Sequence, residues 1–366
     1  MTRLWWAQIK AVVRLELKKT FVAKRGLWIY AVAALPVLLF IAYAVAMSNE
    51  QHKTVKLARD SQKPLSYQDL LAIKSGMARN EVLAILGKPP VNFHWSGRRP
   101  TGPGADEEVF REDYQYSDGQ NDLYISLADG KVESAHIREG YNLGQDAFMF
   151  AGVFQFFFLR LAVFFGCLGI FMNLFRGEVL DKSLHFYFLA PIRREVLMAG
   201  KFLAGLLATC TIFVTSEVLQ TLAFLWHFNP HMRDVYLFHN HGLEHAAIYV
   251  GVTMLACLGY GAFFLGAGML FRNPIIPTAA VLFWEWFNPF LPALLKQFSV
   301  IYYLKSLCPV EIPLPPGMPG LFALLFSNAD PISAPLAILG IIVVAGIVLA
   351  VSGAQVRRME INYTSE

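Results

Sequence analysis

The chain has 366 residues, of which 55% are hydrophobic and only 16% charged, whereas soluble domains run to about a quarter charged. Together with 30 phenylalanines and a mean hydropathy of +0.44, this argues against a soluble globular class and for membrane residence. A net charge of +4 is too small to imply nucleic-acid binding, so what matters is where the positive residues sit. In chain order, the first segment is LWWAQIKAVVRLELKKTFVAKR, with Trp5, Ile9, Val12, Val13 and Leu17 at helical spacing. Gln8, Lys10, Arg14 and Lys18 fall largely on the other side. A basic amphipathic helix with paired tryptophans is expected to lie in the membrane interface over 1–26, and a cytoplasmic extension of the first span is the plainer alternative. The Ala44-Val45-Ala46 triplet resembles a leader-cleavage site. However, the apolar run before it is about 20 residues, long enough to cross a bilayer, so an uncleaved anchor is expected.

Six stretches read as membrane spans, near 27–47, 147–174, 202–226, 246–271, 275–295 and 335–355. Lys18, Lys19, Lys24 and Arg25 precede the first, and Arg176, Lys182, Arg193, Arg194 and Lys201 lie between the second and third. Arg272 follows the fourth, and Arg357 and Arg358 follow the sixth. With an even number of spans all these flanks fall on one side, the cytoplasm, and both termini are inside. The expected fold is an α-helical polytopic membrane protein with six transmembrane helices and a small α+β extracytoplasmic domain inserted after the first. The third to fifth spans occupy 202–296, an outer re-entrant segment or plain loop 297–334, the last span 335–355 and a cytoplasmic tail 356–366. Prolines 309, 313, 315, 316 and 319 keep the segment before the last span from forming one straight helix. Cys167, Cys210 and Cys257 fall in apolar stretches and Cys308 in an expected loop, a spacing that builds neither a disulfide framework nor a CxxC site.

Residues 48–146 are polar and rich in Gly and Pro. Two short helical patterns come first, the second apolar at Val82, Ile85 and Leu86 and stopped by Gly87 and Pro89. RRPTGPGADEE is expected to be a flexible loop, and DYQYSD and LYISLADGKVESAHI are expected to be strands with a hairpin turn at Asp129-Gly130. Gly76-Met77, Glu81-Val82, Leu86-Gly87, Pro89 and Asp129-Gly130-Lys131-Val132 give this insert a resemblance to the BamE/SmpA-like fold, a small lipoprotein of the outer-membrane β-barrel assembly machinery. The resemblance implies a protein-binding module and not an enzyme. The lipidated cysteine of that family is absent, and the first span would serve as anchor. The insert is expected to gate release or to recruit a periplasmic protein partner.

The segment FRGEVLDKSLHFYFLAPIRREVLMAGK, 175–201, sets a charged helical hairpin between two apolar stretches. Residues 178–188 can form a helix that Pro191 breaks, and Arg193 onward restarts one. Such a helix suits docking onto a soluble partner, and a solvated positive-inside connector is the plain alternative. Glu178, Ser183-Leu184, Leu189, Pro191, Arg194 and Gly200-Lys201 match, in order, the loop of ABC transporter type-2 permeases, which the chain resembles over nearly its whole length. The stretch 284–307 also resembles the fifth span of some members.

The resemblance implies the membrane subunit of an ABC exporter in the bacterial cytoplasmic (inner) membrane. The coupling residues it implies are Gly177, Glu178, Lys182, Ser183, Leu184, His185, Pro191, Arg193 and Arg194. No GxxxxGK[ST] occurs, and GKPP at 87–90 lacks its pattern. No cofactor is therefore expected on this chain, and ATP and Mg are expected on a partner ATPase. One six-span chain is half a pathway, so a homodimer or heterodimer of permeases is implied.

Arg160, Glu217 and Glu285 are charged residues inside apolar spans, and each needs a partner or water. Arg160 is expected to pair with Glu285 or Glu217, either as a substrate contact or as a staple fixing helix register. His227, His231, His239, His241 and His245 crowd one outer loop. The absence of cysteine and the neighbouring Tyr and Phe favour interfacial histidines over a metal site. The spans hold no paired aspartates, Ser-His pair or HExxH; GLEH at 242–245 is not one, so an intramembrane enzyme is disfavoured. NYT at 362–364 matches a glycosylation sequon, but in a cytoplasmic tail it would be unused. The rival class is a non-transporting interaction protein that anchors the insert for envelope partners.

Overall fold

The computed structural model describes residues 2–22, 26–102, 105–140, 142–180, 192–271, 275–288, 291–310 and 332–357. The chain divides into two compact units, Met1–Ile41 with Gln145–Glu366, and Ala42–Gly144. The first is helical, with α1 at Thr2–Val22 and the start of α2 at Leu27–Asp60. At and beyond the end of the second unit come α5 at Leu143–Gly152, a π-helical stretch at Val153–Val163 and α6 at Phe164–Leu180. Then follow α7 at Arg194–Trp226, α8 at Pro230–Asp234, a short π-helical turn at Val235–His239 and α9 at Gly242–Leu270. The rest are α10 at Ile275–Phe287, α11 at Ala293–Lys296, α12 at Val300–Leu307 and α13 at Ala334–Arg357.

Five helices among the described residues are long and apolar enough to cross a membrane: α2, the run Leu143–Leu174, α7, α9 and α13. The shortest, α13, has 24 residues, and at 1.5 Å per residue it outreaches a hydrocarbon core of about 30 Å. The fifth expected span, 275–295, is not one helix. It stops after the 13 residues of α10, roughly 20 Å, because Pro289 and Pro292 follow and cannot donate a backbone hydrogen bond. The chain resumes in α11 and in α12, whose Val300, Ile301, Tyr302 and Leu304 are buried against α9 and α13. Residues expected to lie in an outer segment after 297 therefore begin with a packed helix; the proline-rich part, 311–331, lies outside the described residues.

Close helix packing is set by small residues facing large ones. The ring of Phe171 on α6 lies between Gly205 of α7 and Gly261 of α9, where an added Cβ would come within 2.6 and 2.5 Å of it. With no hydrophobic drive between helices in lipid, such van der Waals fit is what holds them. Phe40, Phe150, Phe224 and Tyr249 interlock with centroids 5.0 to 6.2 Å apart, joining α2, α5, α7 and α9.

The second unit is a four-stranded antiparallel sheet in the order β1-β2-β3-β4. Its strands are Val91–Gly102, Ala105–Ser117, Asp122–Ala128 and Lys131–Arg138, and α3 at Tyr67–Leu71 and α4 at Arg79–Leu86 precede them. Leu70, Ile73, Val82 and Leu86 from the helical part meet Tyr114, Tyr116, Leu123, Ile125, Leu127 and Val132 from the sheet in one core. The described residues of the stretch expected to be a flexible loop are instead the arm of the β1–β2 hairpin, whose register sets Arg99 opposite Glu107 and Arg98 opposite Glu108. Asp129 and Gly130 take φ of 52° and 74°, the left-handed backbone of a two-residue hairpin. Gly76, also at positive φ (91°), donates to Val132 O at 2.8 Å, and Arg79 N reaches Gly130 O at 2.9 Å. Glu81 accepts from Ala78 N, and Tyr116 Oη donates to Gly87 O. The two halves of the insert's motif, the first ending at Pro89 and the second beginning at Asp129, thus close on one another.

Candidate functional site

The charged loop between the second and third spans falls largely outside the described residues. Lys182, Ser183, Leu184, His185 and Pro191 lie there, and Glu178 sits on α6 with its side chain likewise outside. Its two flanks are described. Gly177, on α6, lines a cavity of about 130 Å³ together with Glu16, Lys19, Tyr30 and Asn173. On the other flank, Arg193 caps α7 in extended backbone, and Glu195 in the first turn complements the helix's positive end.

Both arginines assigned to partner docking engage the chain itself. The guanidinium of Arg193 lies 5.1 Å from the centroid of Trp5. Arg194 Nη1 donates to the carbonyls of Val356 and Arg357 at 3.4 and 3.2 Å, at the end of α13 where carbonyls lack intrahelical partners. Arg357 in turn pairs with Glu195.

Two turns further along α7, Lys201 Nζ donates to Glu16 at 2.7 Å and to Leu174 O at 2.9 Å. Both side chains are buried, 0% and 2% exposed. This ties α1, α6 and α7 at one point, beside Gly200, where an added Cβ would meet Val12 of α1 at 2.9 Å. Glu16 escaped the sequence reading, although it is the only acidic residue in the first 49. That isolation on the inward side of a basic helix was the available signal. Gln8, read as outward-facing, is half-buried on the same side.

A second polar group lies inside the helical unit. Glu285, at the end of α10, is 4% exposed. It accepts from Ser299 Oγ (2.9 Å), Val300 N (3.0 Å), Ile301 N (2.8 Å) and Tyr260 Oη (3.4 Å). The carboxylate of one half-length helix thus satisfies the free amides that begin the next. Arg160 belongs to the π-helical stretch, and π-helical turns are rare and concentrate at functional sites. It is 3% exposed, held 5.1 Å from the Phe156 ring and 5.6 Å from the Trp286 ring. Its Nε and Nη2 have no hydrogen-bond partner among the described residues.

Arg160 makes no close salt bridge with either carboxylate, although Glu285 is near enough to act on its charge electrostatically. Glu285 is taken up by its four donors, and Glu217, 1% exposed, accepts from Thr221 Oγ1 at 3.0 Å on its own helix. Beside it, Ser216 Oγ donates to Ala33 O, close to Pro36 within α2. Lys305 adds a second cation, 5.8 Å from the same Phe156 ring.

In the histidine-rich loop, His227 Nε2 lies 3.6 Å from Asp146, and Arg233 closes the end of α7 through the carbonyls of Leu225, Trp226 and Phe228. Among the described residues no cluster of His, Cys, Asp or Glu is arranged to hold a metal. No protein-family model matches the chain, and no curated protein matches it in sequence.

Proposed function

We propose that the chain is the membrane subunit of an ABC-type exporter in a bacterial inner membrane, working as a homodimer or heterodimer with a separate ATPase that docks at residues 177–194. The observation that carries this reading is the junction behind that loop. Lys201–Glu16, Arg193–Trp5 and Arg194 with the last carbonyls of α13 bind the loop's exit to three other helices. A push delivered at the loop reaches α1, α6 and α13 through short, buried or multivalent contacts, which a passive connector does not need. In this reading α10 and α12 form one discontinuous crossing joined at Glu285, so six crossings leave both termini in the cytoplasm.

Full-length chain purified from native membranes in mild detergent tests the assignment. A P-loop ATPase is expected to co-purify and to be lost when Lys182 is changed to Glu. Recovery of the chain without any nucleotidase would overturn it. One observation favours the rival, an anchored interaction module: Phe93, Trp95 and Phe110 of the hairpin are exposed at 65%, 46% and 55%. Deleting residues 52–142 separates the two, since export that continues unchanged rules out the insert as the working part.

A further inference from the structure

Two irregular elements meet inside the first unit, the π-helical turn carrying Arg160 and the break between α10 and α12. Broken helices in spans build substrate sites in many transporters, because interrupted backbone supplies polar groups at mid-membrane. The charge balance at this break is uneven. Among the described residues Glu285 is the one carboxylate here; its hydrogen bonds go to Ser299, Val300, Ile301 and Tyr260, and it acts on Arg160 only electrostatically. Arg160 and Lys305 supply two cations around Phe156. The Arg160 guanidinium keeps two buried N–H-bearing nitrogens without an acceptor among the described residues, in a place where an unsatisfied charge is disfavoured.

The surroundings say what kind of molecule would supply the acceptor. Trp286 covers Arg160 and is itself 38% exposed, and the neighbouring Phe283 and Phe287 are 61% and 45% exposed, with their rings stacked 4.0 Å apart. A planar guanidinium matches the two oxygens of a carboxylate or phosphate, and the aromatic strip beside it suits an apolar body. We infer that Arg160, with Lys305, forms a binding subsite for the oxyanion of an amphiphile, entered past Trp286. This rests on the transport reading, within which it makes the cargo an acidic, apolar-bodied molecule.

The test is a binding assay on the full-length chain in phosphatidylcholine nanodiscs, which needs no ATPase, so its failure and the failure of the transport assignment are separately visible. The probe is dibrominated stearic acid, compared with its methyl ester, and the readout is the quenching that disappears in Trp286→Phe. The acid is expected to quench at about tenfold lower concentration than the ester. Arg160→Gln is expected to abolish that preference without changing the ester, and Arg160→Lys to keep part of it. Brominated phosphatidate against brominated phosphatidylcholine distinguishes a lipid headgroup from a free fatty acid as the source. Equal quenching by acid and ester in the wild-type chain, or an undiminished preference in Arg160→Gln, overturns the inference. If Arg160→Gln fails to insert, the wild-type comparison and Arg160→Lys decide it.

Discussion

Lys201 and Arg160 are both buried cations of the helical unit, and they are treated in opposite ways. Lys201 is 0% exposed and has a carboxylate at 2.7 Å and a carbonyl at 2.9 Å. Arg160 is nearly as buried and has ring faces but no hydrogen-bond acceptor among the described residues. A charge that is fully satisfied holds helices together. One that is left with open donors is kept against its own desolvation, and the site for that is where two helical elements are irregular. The difference separates a structural junction from a binding position within one bundle.

The sharpest way to break this contrast is at the junction. Lys201→Met leaves Glu16 buried without its partner and is expected to destabilise the chain by about 3–5 kcal/mol, read as lost thermal stability in detergent. Adding Glu16→Leu should recover most of it, because the pair then leaves together. A harmless single substitution would remove the junction from the account. Next in size is Glu285→Gln, which turns one acceptor into a donor facing the amides of Val300 and Ile301 and should cost about 1–3 kcal/mol. It should also raise hydrogen exchange at the start of α12. The smallest effect is expected at Arg160→Met, within about 1 kcal/mol of wild type, because no hydrogen bond made by the protein is lost and a desolvated charge is removed. A loss as large as that of Lys201→Met would mean that Arg160 is a staple after all.

Much of the architecture was legible because its signals are local. Length and apolarity mark α2, α7, α9 and α13, and Asp129-Gly130 marks its own turn. The break after Phe287 could have been read from Pro289 and Pro292, but the surrounding apolar residues made 275–295 look continuous. The hairpin arm was missed because Gly and Pro in RRPTGPGADEE speak for a loop, while the pairing that makes it a ladder depends on register between distant residues. Charge in the spans singled out Arg160, Glu217 and Glu285. Which of them touch could not follow from spacing, since Glu285's partners lie 14 to 25 residues away along the chain. Glu16 and Lys201 are 185 residues apart, and only folding brings them together.

We propose that the loop after the second span is gripped from the cytoplasm by a separate ATPase. A photo-crosslinking residue placed at Leu184 in the full-length chain, irradiated in native membranes, tests it directly. The account predicts one dominant adduct to a nucleotide-binding chain, weakened when nucleotide is removed. An adduct to a periplasmic protein, or labelling of a cysteine at position 185 by an impermeant reagent from outside, would contradict it.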